Sequence, residues 1–124
     1  MSYRNLEIWS LANELVLEIH EMTLTLPKFE MYEEGSQIRR SGKGVKSTIV
    51  EGHGRKIYKA EYLKFLVYSL ASNDETNDHL GDLYNTKSLS NKELYDRLHG
   101  KIETLGKKIR NYYHAVERNH DPTL

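Results

Sequence analysis

The sequence predicts an all-α protein whose four helices form an antiparallel, up-down-up-down bundle. Apolar residues recur every three or four positions along four long segments, as amphipathic helices require. Only Pro27 and Pro122 occur in 124 residues, and proline is excluded from helix interiors because it lacks the N–H donor. No segment alternates apolar and polar residues in the way that is typical of a strand. We expect one domain over residues 1–118 and a flexible tail over residues 119–124.

The first predicted helix runs from about Asn5 to Leu26. Pro27 ends it, because the residue before a proline is pushed out of helical geometry. Its apolar stripe consists of Ile8, Ala12, Leu15, Ile19, Thr23 and Leu26.

The second predicted helix follows "EEGS" at residues 33–36 and ends at "GHG", residues 52–54. Gly42 costs about 1 kcal/mol of helix propensity, so we expect a neighbouring helix to approach closely there. Gly52 or Gly54 is expected to adopt the left-handed conformation that closes a helix. The residues with the spacing of a packing seam are Ile38, Gly42, Val45 and Ile49.

The third predicted helix runs from about Lys59 to Thr86. The middle of its packing face is polar, and polar groups that are buried need hydrogen-bond partners. The residues that share this face are Tyr62, Leu66, Ser69, Leu70, Asn73, Asn77, Leu80 and Tyr84.

The fourth predicted helix begins at a capping-box pattern, S-x-x-E, over Ser90–Glu93. Short connections between the four segments favour antiparallel neighbours. The apolar residues of this helix are Leu94, Leu98, Ile102, Leu105, Ile109, Tyr112 and Val116.

Charge is distributed unevenly along the chain, although 18 basic residues balance 18 acidic ones. Residues 1–36 hold seven acids and two bases, whereas residues 37–59 hold seven bases and the single acid Glu51. Arginine and lysine bind phosphate, and arginine does so with two donors in a planar fork. The candidate nucleic-acid-binding residues are therefore Arg39, Arg40, Lys43, Lys46, Arg55, Lys56 and Lys59.

Helical geometry separates the charges of this segment from its packing seam. At 100° per residue, Arg39, Lys43 and Lys46 form one stripe beside the seam. One interpretation is that the stripe binds the phosphate backbone, with little sequence specificity. The other is that these charges form an ordinary solvated face.

The end of the second helix allows several interpretations. Glu51 either pairs with Arg55, forms a capping or interhelix hydrogen bond, or acts as a catalytic carboxylate. We interpret Glu51, Gly52 and Gly54 as a structural motif that forms the turn. Tyr58 and Tyr62 beside this turn either stack on bases or form the edge of the core.

Sequence signals for catalysis, cofactors and metals are weak. The chain has no cysteine, no P-loop, no dinucleotide-binding glycine motif and no H-x-x-x-H pair among its six histidines. We therefore predict no catalytic residues, no cofactor and no metal. Without a membrane span or a signal peptide, a cytoplasmic protein is expected.

Several motifs of the chain match a known family. They include "NLEIWSLANEL", "LPKFEMY" and "YLKFLVYSLAS", and the most specific are "QIRR" at 37–40 and "EGHGR" at 51–55. With these motifs the chain resembles, over nearly its whole length, the bacterial four-helix bundle proteins encoded in intervening sequences of 23S ribosomal RNA genes. Those proteins are also catalogued as ribosomal-protein-like.

The resemblance implies an antiparallel four-helix bundle that assembles into a ring, typically a homopentamer, and it implies no enzymatic activity. The chain is also similar to the accessory bundle protein of diversity-generating retroelements, a basic pentameric barrel that partners a reverse transcriptase and nucleic acid. The partners expected by this analogy are further copies of the chain, RNA or DNA, and a reverse transcriptase.

Three function hypotheses follow. The first is an oligomeric protein that binds nucleic acid, with RNA as the preferred partner, through the seven basic residues. The second is a protein-interaction scaffold, in which the acidic first helix of one subunit meets the basic second helix of another. The third is an enzyme, which requires a converging group such as Glu51, His53 and Asp78.

Overall fold

Four long helices and one short helix make up the protein in a computed structural model that describes residues 1–123. No strand occurs in that range, so the predicted all-α four-helix bundle is confirmed. No helix in the same range has the length and apolarity needed to cross a bilayer. In chain order the elements are a 3-10 turn at Tyr3–Asn5, α1 (Glu7–Thr23), α2 (Lys28–Tyr32), α3 (Glu34–Gly54), α4 (Lys59–Asn85) and α5 (Lys92–Arg118).

The long helices form a closed ring in which α1 packs on α3, α3 on α4, α4 on α5, and α5 on α1. Neighbouring helices are antiparallel, because contacts that advance along one helix retreat along the next. Contacts that show this are Asn13–Lys46 and Ile19–Gly42 for α1 and α3, Thr76–Ser41 and Ser69–Val45 for α4 and α3, Tyr62–Tyr112 and Asn73–Ile102 for α4 and α5, and Glu7–Lys108 and Glu18–Arg97 for α1 and α5.

The predicted apolar stripes form the core. All six residues of the first predicted stripe are buried, five of them in α1 and Leu26 just after it, and so are the four seam residues of α3. The expected close approach of a neighbouring helix at Gly42 is confirmed, since a Cβ there would lie 3.2 Å from the Ile19 Cδ1 atom of α1. The packing of α1 on α3 therefore accounts for the glycine.

The polar middle of α4 finds hydrogen-bond partners on both neighbouring helices. The Ser69 hydroxyl donates to the Val45 carbonyl at 2.9 Å, and the Asn73 amide donates to the Ile102 carbonyl at 2.9 Å. These bonds cross to α3 and α5, so they fix α4 between its neighbours. The Asn73 Oδ1 atom is buried and has no hydrogen-bond partner within the described residues.

Three predicted helix ends differ from the structure. Helix α1 ends at Thr23, three residues before the predicted end at Leu26. The N-cap of α5 is Asn91, whose side chain accepts from the Leu94 N–H at 3.1 Å, so the capping box at Ser90 was wrong by one residue. Asparagine caps a helix as well as serine does. Helix α3 begins at Glu34, within the stretch that was expected to precede it, and the short helix α2 was not predicted.

The predicted left-handed glycine at the end of α3 was wrong. Within the described range no glycine has a positive φ, and Gly52 lies in regular helix. Helix α3 ends instead through Arg55, whose N–H donates to the Gly52 carbonyl at 2.9 Å.

The C-terminal residues contact the turn between α3 and α4. Helix α5 ends at Arg118, and the His120 Nε2 atom lies 2.6 Å from the Lys56 carbonyl oxygen. The flexibility of residues 119–124 stays a prediction, and Leu124 lies outside the described residues.

Candidate nucleic-acid interface

Three of the candidate residues, Arg39, Lys43 and Lys46, form a stripe along α3 on the side nearer to α1. We call these three the α3 stripe. The Lys46 ammonium donates to the Asn13 Oδ1 atom of α1 at 3.1 Å, which places the stripe at the α1–α3 boundary. Lys43 is exposed, whereas Arg39 is partly buried over Gly35.

Three more candidates, Arg55, Lys56 and Lys59, surround the turn from α3 into α4. We call these three the turn cluster. The Arg55 guanidinium donates to the Glu51 backbone carbonyl at 3.1 Å. The Lys56 Nζ atom lies 3.3 Å from the His53 Nε2 atom, and Lys59 is exposed at the start of α4.

The seven candidates do not converge on a single point. Arg39 and Arg55 are sixteen residues apart, which corresponds to about 24 Å at a rise of ~1.5 Å per residue. Arg40 is exposed on the outer surface of α3. The arrangement is an elongated basic surface, suited to an extended anion rather than to a small one.

Most of this basic surface has no acidic partner. Among residues 1–123, six of the seven candidates form no ion pair with a carboxylate. Their positive charge is therefore available to a partner. The six residues are Arg39, Arg40, Lys43, Lys46, Arg55 and Lys59.

Three of the four acids of α1, by contrast, form ion pairs within the same chain. They point towards α5, where three cations meet them across the α1–α5 boundary. The pairs are Glu18 with Arg97 at 2.8 Å, Glu14 with Lys101 at 2.7 Å, Glu18 with Lys101, and Glu7 with Lys108 at 3.2 Å. These three acids therefore do not neutralise the basic residues of α3.

Glu18 is the centre of this ion-pair group. Burial acts to raise the pKa of its carboxyl, but hydrogen bonds and charge from Lys101 and Arg97 outweigh burial and lower the pKa below its ordinary value. The carboxylate is therefore ionised at neutral pH and pairs with Arg97 and Lys101 of α5.

The end of α3 favours the structural interpretation of its glutamate and glycines. No ion pair joins the side chains of Glu51 and Arg55 in the described residues, and Arg55 bonds to the Glu51 carbonyl instead. Gly52 is buried against α4, where a Cβ would lie 3.0 Å from the Phe65 Cβ. Gly54 faces open space, so sterics do not require a glycine there.

The two tyrosines that were considered for base stacking differ sharply in exposure. Tyr62 is buried, and its hydroxyl lies 2.7 Å from that of Tyr112 on α5. Burial, with a smaller contribution from the Tyr112 hydrogen bond, raises the pKa of Tyr62 far above its ordinary value. Tyr62 therefore belongs to the core edge, whereas Tyr58 is 65% exposed.

Sequence reasoning missed two aromatic residues beside the turn cluster. The Arg55 guanidinium lies 4.4 Å from the centroid of the Phe65 ring, and Phe65 makes an edge contact with Tyr68 at 5.3 Å. Their spacing contained the signal, because Phe65 and Tyr68 are three residues apart and therefore lie on one side of α4.

The enzyme hypothesis gains no support from the arrangement of acids and histidines. Glu51, His53 and Asp78 do not form a group with converging ligand atoms in residues 1–123. The group of three that does lie close together there is Glu34, His79 and Asp82, with ligand atoms within 4.8 Å of one another.

The contacts of His79 are those of an ion pair between α3 and α4. Its Nδ1 atom bonds to the Glu34 carboxylate, and its Nε2 atom lies 3.4 Å from Glu75. Burial acts to lower the pKa of His79, but the hydrogen bonds and charges of Glu34 and Glu75 together outweigh burial and raise the pKa above the ordinary value.

A comparison with protein families identifies the chain. The family model described as "23S rRNA-intervening sequence protein" matches residues 4–111. The chain belongs to this family. No curated protein matches it significantly. The matched range includes the α3 stripe and the turn cluster, while the relation to the retroelement accessory protein stays a prediction.

Proposed function

We propose that this member of the 23S rRNA-intervening sequence protein family is a non-enzymatic, oligomeric protein that binds RNA. The α3 stripe, Arg40 and the turn cluster form the binding surface. A ring of subunits would repeat this surface and so strengthen binding through several contacts at once.

The observation that carries the proposal is the contrast between the two charged helices. Three of the four acids of α1 pair with α5, while six cations of the basic surface have no carboxylate partner within the described residues. Like charges at neighbouring helix positions destabilise a helix by a few tenths of a kcal/mol per pair, roughly 0.2–0.5. A polyanion that binds this surface relieves the repulsion.

The expected binding is electrostatic and depends little on base sequence. Each phosphate neutralised by lysine or arginine releases condensed counterions, so the affinity falls as salt rises. If five or six cations engage, the slope of log K against log salt is about −4 for a single strand and about −5 for a duplex.

The test is the affinity for a structured RNA, a hairpin with an unpaired loop, at several salt concentrations from about 50 mM to about 200 mM. We expect Arg39→Glu with Lys43→Glu to abolish binding. The control is Lys107→Glu with Arg110→Glu, which makes the same charge change at exposed positions of α5, diagonally across the bundle. Absence of RNA binding by the wild type at low salt would refute the proposal.

The scaffold hypothesis is the second candidate, and exposed apolar residues favour it. Leu17 and Leu24 of the α1 region are largely exposed and lie seven residues apart, hence on one side of the helix. The pairing of Glu7, Glu14 and Glu18 with α5 counts against the version in which acidic α1 meets basic α3 of another subunit.

Light scattering distinguishes the two candidates. If the basic residues form a subunit interface, Arg39→Glu dissociates the oligomer. If they bind RNA, the oligomer of Arg39→Glu stays intact and RNA binding is lost.

A further inference from the structure

An aromatic surface continues the turn cluster along the outer side of α4. It consists of Tyr58, Phe65 and Tyr68, and we call it the aromatic patch. Tyr58 is 65% exposed and Tyr68 is 44% exposed, while Phe65 is partly buried between α3 and α4. A spacing of three residues places Phe65 and Tyr68 on one side of α4, and Tyr58 is the N-cap residue just before the first turn of that helix.

Contacts join the aromatic patch to the basic residues beside it. The Arg55 guanidinium covers the Phe65 ring at 4.4 Å, and Phe65 meets Tyr68 edge-on at 5.3 Å. The Lys64 ammonium lies 6.0 Å from the centroid of the Tyr68 ring. A cation therefore lies at each end of the Phe65–Tyr68 ring pair, with Arg55 over Phe65 and Lys64 beside Tyr68.

The exposure of these rings is not explained by the core. Tyr62, one turn after Tyr58, is 3% exposed and places its hydroxyl against Tyr112. Tyr58 and Tyr68 remain 65% and 44% exposed, and they have no such bond to another helix in the described residues. Large exposed apolar groups that cluster on a surface mark a binding site.

We infer that the aromatic patch stacks unpaired bases of single-stranded RNA, while the turn cluster contacts the phosphates that flank them. This inference rests on the proposed function and adds the class of RNA that is recognised. Stacking needs an exposed base face, which a strand offers but a duplex hides within its own stack. Cations at both ends of a pair of rings suit a chain in which phosphates flank the bases.

The local charge agrees with this occupant. Arg55, Lys56 and Lys59 are basic, while Lys64 lies 3.6 Å from Glu61 and is partly neutralised. Replacement of Glu61 by glutamine removes that acid and should tighten binding of the strand about twofold to fivefold, since it adds one net positive charge beside the phosphates.

The experiment compares three fluorescently labelled ligands of about 12 nucleotides at one salt concentration. They are a single-stranded RNA, a blunt RNA duplex, and an abasic strand with the same number of phosphates. We expect the wild type to bind the base-bearing strand about tenfold more tightly than the abasic strand, as one stacked base typically provides.

Variants of the aromatic patch locate the effect. Tyr68→Ala and Tyr58→Ala should remove most of the difference between the two strands and leave the salt dependence unchanged. Tyr68→Phe keeps the ring and should bind as the wild type does. The matched control is Tyr32→Ala, because Tyr32 is also 65% exposed but lies on α2, at the opposite end of the bundle.

Each adverse outcome has its own meaning. Equal binding of the abasic and base-bearing strands by the wild type would overturn this inference and leave the proposed function standing. An equal loss in Tyr32→Ala would also overturn it. If Tyr68→Ala changes the oligomeric state in light scattering and leaves RNA binding unchanged, the patch holds another copy of the chain and the inference is wrong. Binding of none of the three ligands would refute the proposed function itself.

Discussion

Gly52 of α3 packs directly against Phe65 of α4, so closely that a Cβ at position 52 would lie 3.0 Å from the Phe65 Cβ. Both atoms are fixed close to their backbones, so neither can move aside without a shift of a helix. The position therefore sets the separation of α3 and α4 at the end that carries the turn cluster.

Gly52→Ala should destabilise the protein. Overpacking costs typically 1–3 kcal/mol, which exceeds the gain of about 1 kcal/mol in helix propensity. We expect the net free energy of unfolding to fall by about 1 kcal/mol, measured by urea unfolding. Gly100→Ala is the matched control, because a Cβ there meets nothing within 4 Å, and it should stabilise the protein by about 0.5–1 kcal/mol. If Gly52→Ala instead raised the free energy of unfolding, α4 would be able to shift away from position 52 at little cost.

The hydroxyls of Tyr62 and Tyr112, 2.7 Å apart, should be energetically coupled. Tyr62→Phe should cost about 1 kcal/mol, because it removes the bond and leaves the Tyr112 hydroxyl with one partner fewer. The double variant with Tyr112→Phe should cost less than the sum of the single variants. Thermal unfolding of the wild type, the two single variants and the double variant measures the coupling. If the costs of the two single variants simply add up, the two hydroxyls are not coupled, and water replaces either of them without loss.

The ion pairs between α1 and α5 should contribute modestly and in a salt-dependent way. Glu18→Gln removes the acid that contacts both Arg97 and Lys101, and we expect a loss of about 0.5–1 kcal/mol at low salt. Because the pKa of Glu18 is lowered on folding, its contribution is present above the unfolded pKa and is lost as the pH falls through the folded pKa. Urea unfolding at low and high salt tests this, and a loss that salt does not reduce would contradict it.

The four long helices were predictable because apolar residues recur at helical spacing along each of them. Every residue of the first predicted stripe is buried as expected. The basic stripe was also predictable as an angle around α3. Which helix lies beside that stripe was not, because the period of one helix carries no information about its neighbours. The same limit explains Gly52, which the sequence suggested as a residue that ends α3. Its close contact with Phe65 depends on the neighbouring helix α4, which the pattern of α3 does not reveal.

The basic residues of the candidate site were predictable from the sequence, but the aromatic residues that lie beside them were predictable only in part. The seven bases lie within residues 39–59 of the sequence, and they occupy α3, the turn that follows it and the start of α4. Tyr62 was considered for stacking because it is adjacent to the turn, yet it points into the core. Phe65 and Tyr68 were passed over because their link to Arg55 depends on how α3 turns into α4.

His79 should make stability depend on pH near neutrality. Its pKa is raised on folding, because the bond to Glu34 and the nearby Glu75 outweigh burial. The stabilisation is therefore fully present below the ordinary histidine pKa of 6.5 and is lost as the pH rises through the higher, folded pKa. We expect the wild type to exceed His79→Gln in the free energy of unfolding at about pH 5.5, and the difference to shrink towards about pH 8.5. His114→Gln is the control, because His114 is more exposed and pairs with Glu117 within the same helix. A difference for His79→Gln that stays constant across this pH range would show that the contact acts as a neutral hydrogen bond rather than as an ion pair.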